Sequence, residues 1–216
     1  MKISLSDPSR MIVTCPQKGT FTGGSQEWYK DRWQKLSGCG PTTASNLIWY
    51  TANRVFNNRV DFGGDMSRYL DLQNEMFNFV TPGMQGVNTS KLFTSGIIRF
   101  GKNRNFNIET FVLEIPKKPF ARPNANAVRK FIEEALAADS PVAFLNLSNG
   151  ALFNLENWHW VTIISLYDDT LTAEIADQGE AFDINLEEWL KTSLLGGAFV
   201  SIKLDEKELQ RGTPTN

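Results

Sequence analysis

Apolar and polar positions divide the chain into a first half with helical periodicity and a second half with the alternation of β-strands. In the first half, apolar residues three and four positions apart predict helices over 39–53 and 65–80 and a further helix that begins near 88. In the second half, short apolar or alternating runs bounded by turn residues predict strands. These strands are 108–115, 142–147, 159–167, 171–176, 181–184 and 198–204. Helices are predicted between them over 125–138 and 186–190, so the pattern predicts an α+β fold.

The sequence also predicts the structure of the two chain ends and of one turn. Residues 1–32 alternate short apolar pieces with glycine, proline and serine, which is typical of extended segments and turns. Residues 205–216 are polar and are predicted to form a frayed tail. Asp168 and Asp169 predict a tight turn that joins two strands as an antiparallel hairpin. The 216 residues are expected to form one domain.

Composition and charge narrow the classes of partner. The formal net charge is −2, and the 22 basic residues are spread along the chain without a dense cluster, which argues against nucleic acid or an anionic membrane as the main partner. No apolar run approaches the roughly 18 residues of a membrane-spanning helix. The first residues contain no apolar signal core, so the cytoplasm is the default expectation for localisation. No surface patch or heptad pattern predicts an oligomeric state.

The chain has two cysteines, Cys15 and Cys39, which are too few for a disulfide framework. A single bridge between them stays open as an alternative, although it needs an oxidising compartment that no targeting signal supports. Two cysteines and one histidine do not supply the four ligands of a structural zinc ion, so neither a metal nor a cofactor is expected. Cys15 is expected to be an inert thiol.

Cys39 stands at the predicted start of a helix, where unpaired backbone N–H groups and the helix dipole favour a thiolate. His159 is the only histidine of the chain and opens a predicted strand. Asp177 ends the next predicted strand, and hairpin pairing would place it about opposite residue 161. An acidic side chain there is able to orient the imidazole of His159. Cys39, His159 and Asp177 are therefore the candidate catalytic residues of a cysteine hydrolase.

A cysteine hydrolase also needs hydrogen-bond donors that stabilise the oxyanion of its tetrahedral intermediate. The backbone N–H of Cys39 is one natural donor, and a side-chain amide upstream is the usual second. Gln34 is the best-placed amide along the sequence, with Gln26 a distant second. Three tryptophans are candidates to line the cleft and exclude water, with burial in the core as their alternative role: Trp33, Trp158 and Trp160.

These motifs resemble the papain-like cysteine peptidase superfamily. The likeness rests on Cys-Gly-Pro-Thr from Cys39, His-Trp-Val from His159, and Asp177 at the end of the following strand. It is nearest to the bacterial group related to bacteriocin-leader peptidases, which cleave after double-glycine leaders, and the order of elements agrees over residues 33–204. In that superfamily the oxyanion glutamine generally occupies the position of Trp33, whereas Gln34 comes one residue later in this chain.

The resemblance implies a fold and an activity. A helical lobe, about 33–101, would carry the nucleophile Cys39 and would pack on an antiparallel sheet lobe, about 102–204. His159 would be the general base and acid, and Asp177 would orient it. The expected substrate is a peptide or small amide, and the leader-processing role of transporter-fused relatives is not carried over because no transporter segment is present.

Two other functions are compatible with the same residues. An acyltransferase would form the same acyl-enzyme and pass the acyl group to an amine or a thiol. A non-catalytic binding module would keep the scaffold and leave Cys39 unreactive. The identity of the substrate is not encoded in any of the motifs.

Overall fold

The computed structural model describes residues 2–56, 65–167 and 170–206. These residues form an α+β structure of helices and a mostly antiparallel sheet. The helices are α1 (Arg32–Ser37), α2 (Cys39–Phe56), α3 (Met66–Phe79), α4 (Ser90–Asn103), α5 (Ala125–Ala137) and α6 (Leu186–Thr192). The strands are β1 (Lys2–Ser4), β2 (Ile12–Cys15), β3 (Gly19–Thr22), β4 (Phe106–Ile115), β5 (Val142–Asn146), β6 (His159–Tyr167), β7 (Thr172–Asp177), β8 (Glu180–Asn185) and β9 (Gly197–Glu206).

The main sheet has the strand order β4-β9-β5-β6-β7-β8. The short strand β1 pairs antiparallel with the end of β6, where Lys2 lies opposite Tyr167. Strands β2 and β3 form a separate hairpin. β6 is buried along almost its whole length between β5 and β7, so its first residue, His159, is held by a rigid element.

Helices cover both faces of the main sheet. Helices α2, α3 and α4 pack on one face around a core that includes Trp49, Phe93 and Trp160. Helices α5 and α6 pack on the other face, where the core includes Ile132 and Trp189. Because α2 crosses β6 and β9, the amino end of α2 comes close to the beginning of β6.

The helix starts follow from local capping chemistry. The side chains of Asp65, Thr89 and Asn124 accept hydrogen bonds from backbone N–H groups in the first turns of α3, α4 and α5 respectively. These bonds satisfy N–H groups that a helix leaves without an internal partner. The cap predicted at Asp65 is thereby confirmed, with a distance of 3.0 Å from its Oδ1 to the N–H of Arg68.

The predicted helices and strands between residues 39 and 204 are present in the structure, with ends that differ by a few residues. The sequence did not predict the helix α1, and residues 1–32, predicted as extended segments and turns, also contain the short 3-10 helices Pro8–Met11 and Gln26–Trp28. The frayed tail was predicted to begin at 205, but β9 continues to Glu206, and Asp205 pairs with Asn107 of β4. The sequence also gave residues 2–4 no place in the sheet, because three residues carry too little alternation to predict a strand. The predicted turn at Asp168 and Asp169 and the tail from 207 onward lie outside the described residues.

None of the helices in the described ranges combines the length and the apolar character that crossing a membrane requires.

Candidate active site

Cys39 is the first residue of α2 and is separated from α1 by the single residue Gly38. The packing here is tight: a Cβ atom on Gly38 would lie 2.3 Å from the carbonyl oxygen of Gln34, and one on Gly40 would lie 2.8 Å from Val87. Glycine on both sides of the cysteine therefore permits other residues of the same chain to approach closely. The N–H groups of the first helical turn and the helix dipole favour a negative charge at Cys39.

His159 connects the other two candidate residues. Its Nε2 atom lies 2.8 Å from Oδ1 of Asp177. The pairing of Thr162 with Ala176 brings the start of β6 beside the end of β7, which is the arrangement that the hairpin predicted. Cys39 and His159 line the same small cavity, and the side chain of Cys39 contributes to the raised pKa of the imidazole. Because Nε2 is engaged with Asp177, Nδ1 is the nitrogen that remains for the sulfur.

The surroundings of His159 change its pKa in two directions. The side chain is almost fully buried, and burial lowers the pKa because it disfavours the charged imidazolium. The hydrogen bonds and charges of Asp177 and Cys39 act in the opposite direction and outweigh burial. Together they raise the pKa of His159 from 6.5 to about 10. A protonated imidazole at neutral pH is the partner that stabilises a neighbouring thiolate.

A small polar cavity of about 10 Å³ lies among Cys39, His159 and Asp177. Its other polar or small lining residues are Gly24, Gln26, Thr42, Thr43, Asn46 and Gln178. A volume of this size accommodates about one water-sized group. The cavity is therefore large enough for a single polar atom, such as a carbonyl oxygen, and too small for a side chain.

Gln26 lines this cavity together with Asn46 and Gln178, whereas Gln34, the amide predicted from the sequence, is not among the lining residues. The residues directly before Cys39 form the helix α1, and Gln34 in this helix lies outside the lining of the cavity although it is close to Cys39 in sequence. Gln26 begins a short 3-10 helix that ends at Trp28, and its Oε1 atom is buried without a hydrogen-bond partner. No hydrogen bond through Oε1 therefore holds the Gln26 side chain to another part of the protein.

Gln178 is a site residue that the sequence did not predict. It forms a two-residue turn with Gly179 between β7 and β8, with φ of 51° and 85° for the two residues, as in a type I′ hairpin. Its Oε1 accepts hydrogen bonds from Ser25 Oγ at 2.7 Å and from the backbone N–H of Gln26 at 3.2 Å. The turn that follows Asp177 thus also positions Gln26. The Gln-Gly pair after an apolar strand is the signal that could have indicated this turn.

Buried amide side chains connect the segment before Gln26 to its neighbours, which include α2, the helix that begins at Cys39. Asn46 of α2 accepts hydrogen bonds from the N–H of Gly24 at 2.9 Å and from the hydroxyl of Tyr69 at 2.6 Å, and it donates to Thr162 Oγ1 at 2.9 Å. The Nε2 of Gln73 donates to the carbonyl oxygen of Ser25 at 2.9 Å. This network links the segment before Gln26 to α2, α3 and β6.

The three tryptophans have different positions. Trp160 is fully buried, stacks on Phe93 with ring centroids 4.1 Å apart, and donates its indole N–H to the carbonyl oxygen of Val87. Trp160 lines one side of the cavity and is also part of the core around α2, α3 and α4. Its main role is therefore core packing. Trp33 and Trp158 are half-exposed and line a separate groove beside Cys39.

The described residues contain no cluster of three or more His, Cys, Asp or Glu side chains that could hold a metal ion. Cys15 is buried and is a free thiol, as is Cys39. The sequence matches no protein-family model, and no curated protein matches it. The function therefore has to be inferred from the chemistry of the site.

Proposed function

We propose that this protein is a cysteine peptidase or amidase with a papain-like arrangement of its catalytic residues. The observation that carries the proposal is the grouping of Cys39, His159 and Asp177 around one small polar cavity, with 2.8 Å between Nε2 of the imidazole and Oδ1 of the carboxylate. A nucleophile in contact with a base, and a base oriented by a third group, is the arrangement that nucleophilic catalysis requires.

The reaction proceeds in two stages. The Cys39 thiolate attacks the carbonyl carbon of an amide and forms a C–S bond, while the electron pair of the C=O bond moves to oxygen. As the intermediate collapses, the C–N bond breaks and His159 gives its proton to the leaving amine. His159 then removes a proton from water, which attacks the thioester and releases a carboxylic acid and the free cysteine.

The oxyanion of each intermediate is placed in the small polar cavity. The backbone N–H of Cys39, at the first residue of α2, is one donor. The amide of Gln26 is the other, and a half-turn about its last side-chain bond presents Nε2 where the unpartnered Oε1 now lies. Gln178 accepts the backbone N–H of Gln26 and so fixes the main chain from which this donor extends.

The first test is the rate at which iodoacetamide alkylates Cys39 between about pH 4 and pH 9, measured by peptide mass spectrometry. An ordinary thiol has a pKa of about 8.5 and reacts slowly below it. We expect Cys39 to react rapidly well below pH 7 and to lose this reactivity in His159→Gln. Cys15 is a control thiol within the same molecule, and a Cys39 profile that rises only above about pH 8 would contradict the proposal.

The second test distinguishes hydrolysis from acyl transfer. The protein is incubated with a library of peptide and small amides, with Cys39→Ala as the matched control, and the products are analysed by mass spectrometry. Release of the free acid in water supports hydrolysis. An acyl group that stays on Cys39 until an amine or a thiol is added supports the acyltransferase instead, and no acylation of a reactive Cys39 by any amide would contradict both.

A further inference from the structure

An apolar groove of about 330 Å³ opens beside Cys39. Four of its lining residues are large apolar side chains with high exposure: Trp33 at 48%, Leu36 at 70%, Met84 at 98% and Trp158 at 49%. Single exposed apolar residues are common on protein surfaces, whereas a cluster around one depression indicates a binding site. The volume is near the lower end of the roughly 300–1,000 Å³ of small-molecule pockets.

The groove adjoins the candidate active site, because Cys39 lines both the groove and the small polar cavity. The cavity accepts one polar atom, so the remainder of a substrate bound at Cys39 has to lie elsewhere. The groove is the larger space that Cys39 adjoins. A substrate whose carbonyl reaches the sulfur therefore places a neighbouring group in the groove.

The lining of the groove selects for neutral groups. Apart from the four large apolar side chains and Cys39, it is lined by Ser37, Gln85 and Gly86, and none of these residues is charged. A charged substituent that entered the groove would lose part of its hydration and would gain no ion pair from these walls. A large apolar substituent would instead be removed from water against the two indole rings.

The walls of the groove are held in place without a ligand. Gly83 and Gly86 exchange backbone hydrogen bonds of 3.2 and 3.0 Å across the turn that carries Met84. The side chain of Asn157 accepts a backbone N–H at 2.8 Å just before Trp158, whose backbone has a φ of 56°. A bulky residue keeps such a conformation only where its surroundings fix it. Preformed walls reduce the entropy that is lost when a ligand binds.

We propose that this groove binds a large, uncharged, apolar group next to the amide that Cys39 attacks, and that Trp33, Met84 and Trp158 determine this specificity. The substrate class is therefore a peptide or other amide with an aromatic or branched aliphatic side chain near the reacting bond. The proposal rests on the proposed function, because it concerns the group that is presented to Cys39.

The experiment compares three alkylating reagents at Cys39: iodoacetamide, its N-benzyl derivative and its N-carboxymethyl derivative. The readout is the ratio of each derivative's rate constant at Cys39 to that of iodoacetamide, divided by the same ratio for free glutathione, because Cys15 is buried. We expect the benzyl reagent to react on the order of tenfold faster than iodoacetamide and the carboxymethyl reagent to react more slowly. The benzyl preference should fall toward one in Trp33→Ala and in Met84→Asp.

Phe153→Ala is the matched control, because Phe153 is 97% exposed and does not line the groove. This variant should keep the wild-type preference. A benzyl preference near one in the folded wild type, or a preference that survives both groove substitutions, would overturn the specificity proposal.

The test is repeated at about pH 9.5, where even an ordinary thiol with a pKa of about 8.5 is ionised. At that pH the ratio reports on the groove whether or not His159 activates Cys39. If Cys39 is not activated at neutral pH, the proposed function is contradicted. If Cys39 is activated but does not prefer the benzyl reagent, only the specificity proposal is contradicted. The two failures are therefore distinguishable.

Discussion

Replacing Asp177 by asparagine should lower the pKa of His159, because the substitution keeps the shape of the side chain and removes its charge. The rise of the His159 pKa from 6.5 to about 10 corresponds to roughly 5 kcal/mol in favour of the imidazolium, at about 1.4 kcal/mol per pH unit. Asp177 and Cys39 share this effect, and burial opposes it. Loss of the Asp177 charge should therefore lower the pKa by at least about one unit, or about 1.4 kcal/mol.

The assay is an NMR titration of the imidazole, which is unambiguous because the chain contains one histidine. The matched control is Asp183→Asn, which removes a carboxylate from an exposed position on β8 of the same hairpin. The control should keep the wild-type pKa of His159. If Asp177→Asn is folded and titrates at the same pH as the wild type, Asp177 does not stabilise the imidazolium and the assigned role of the carboxylate is refuted.

The same interaction makes stability depend on pH. The pKa of His159 is higher in the folded protein than the 6.5 of an unfolded chain, so the folded state holds this proton more tightly. The stabilisation is complete below about pH 6.5 and is lost as the pH rises through about 10. In a Cys39→Ser background, which removes the ionisation of the thiol, urea denaturation should show stability falling from pH 7 to pH 10. Adding Asp177→Asn should make this fall smaller.

Three further substitutions test the surroundings of the site. Gln26→Ala should lower kcat on any amide substrate identified by the library about 10²- to 10³-fold, with Gln34→Ala unchanged, as steady-state kinetics would show. Gly40→Ala should lower the free energy of unfolding by about 1–3 kcal/mol in urea denaturation, because its Cβ would overlap Val87. Asn46→Ala should cost a similar amount, about 1–3 kcal/mol, since buried hydrogen-bonding groups lose their partner. Equal kcat losses for both glutamines, or unchanged denaturation midpoints, would contradict these assignments.

The catalytic candidates could be predicted from the sequence because each lies at the end of a regular element. Cys39 begins a helix with a strong apolar pattern, and His159 begins a buried strand. The position of Asp177 followed from hairpin geometry, since antiparallel pairing returns the chain beside its own start. Local pattern was sufficient to place Asp177 beside His159 because β6 and β7 follow each other along the chain, whereas the proximity of Cys39 to His159, 120 positions away, was expected from the residue types and the resemblance.

Gln26 and Gln178 were harder to identify because their positions depend on contacts between distant parts of the chain. The hydrogen bonds of Gln178 to Ser25 and to the N–H of Gln26 join residues more than a hundred and fifty positions apart, as their sequence separations of 153 and 152 show. No periodicity in either segment reports such a contact. Distance from Cys39 along the chain favours Gln34, but this measure does not report which side chains line the cavity.

A substrate of the proposed reaction would reach Cys39 from the groove, because the polar cavity holds only about one water-sized group. His159 is 3% exposed and Cys39 is 9% exposed, so little of the candidate ion pair contacts water before substrate binds. An apolar group seated between Trp33 and Trp158 would remove water from the remaining open side. Charge interactions become stronger as water is excluded, so occupation of the groove would strengthen the attraction between thiolate and imidazolium. Binding in the groove and reactivity at Cys39 should therefore be coupled.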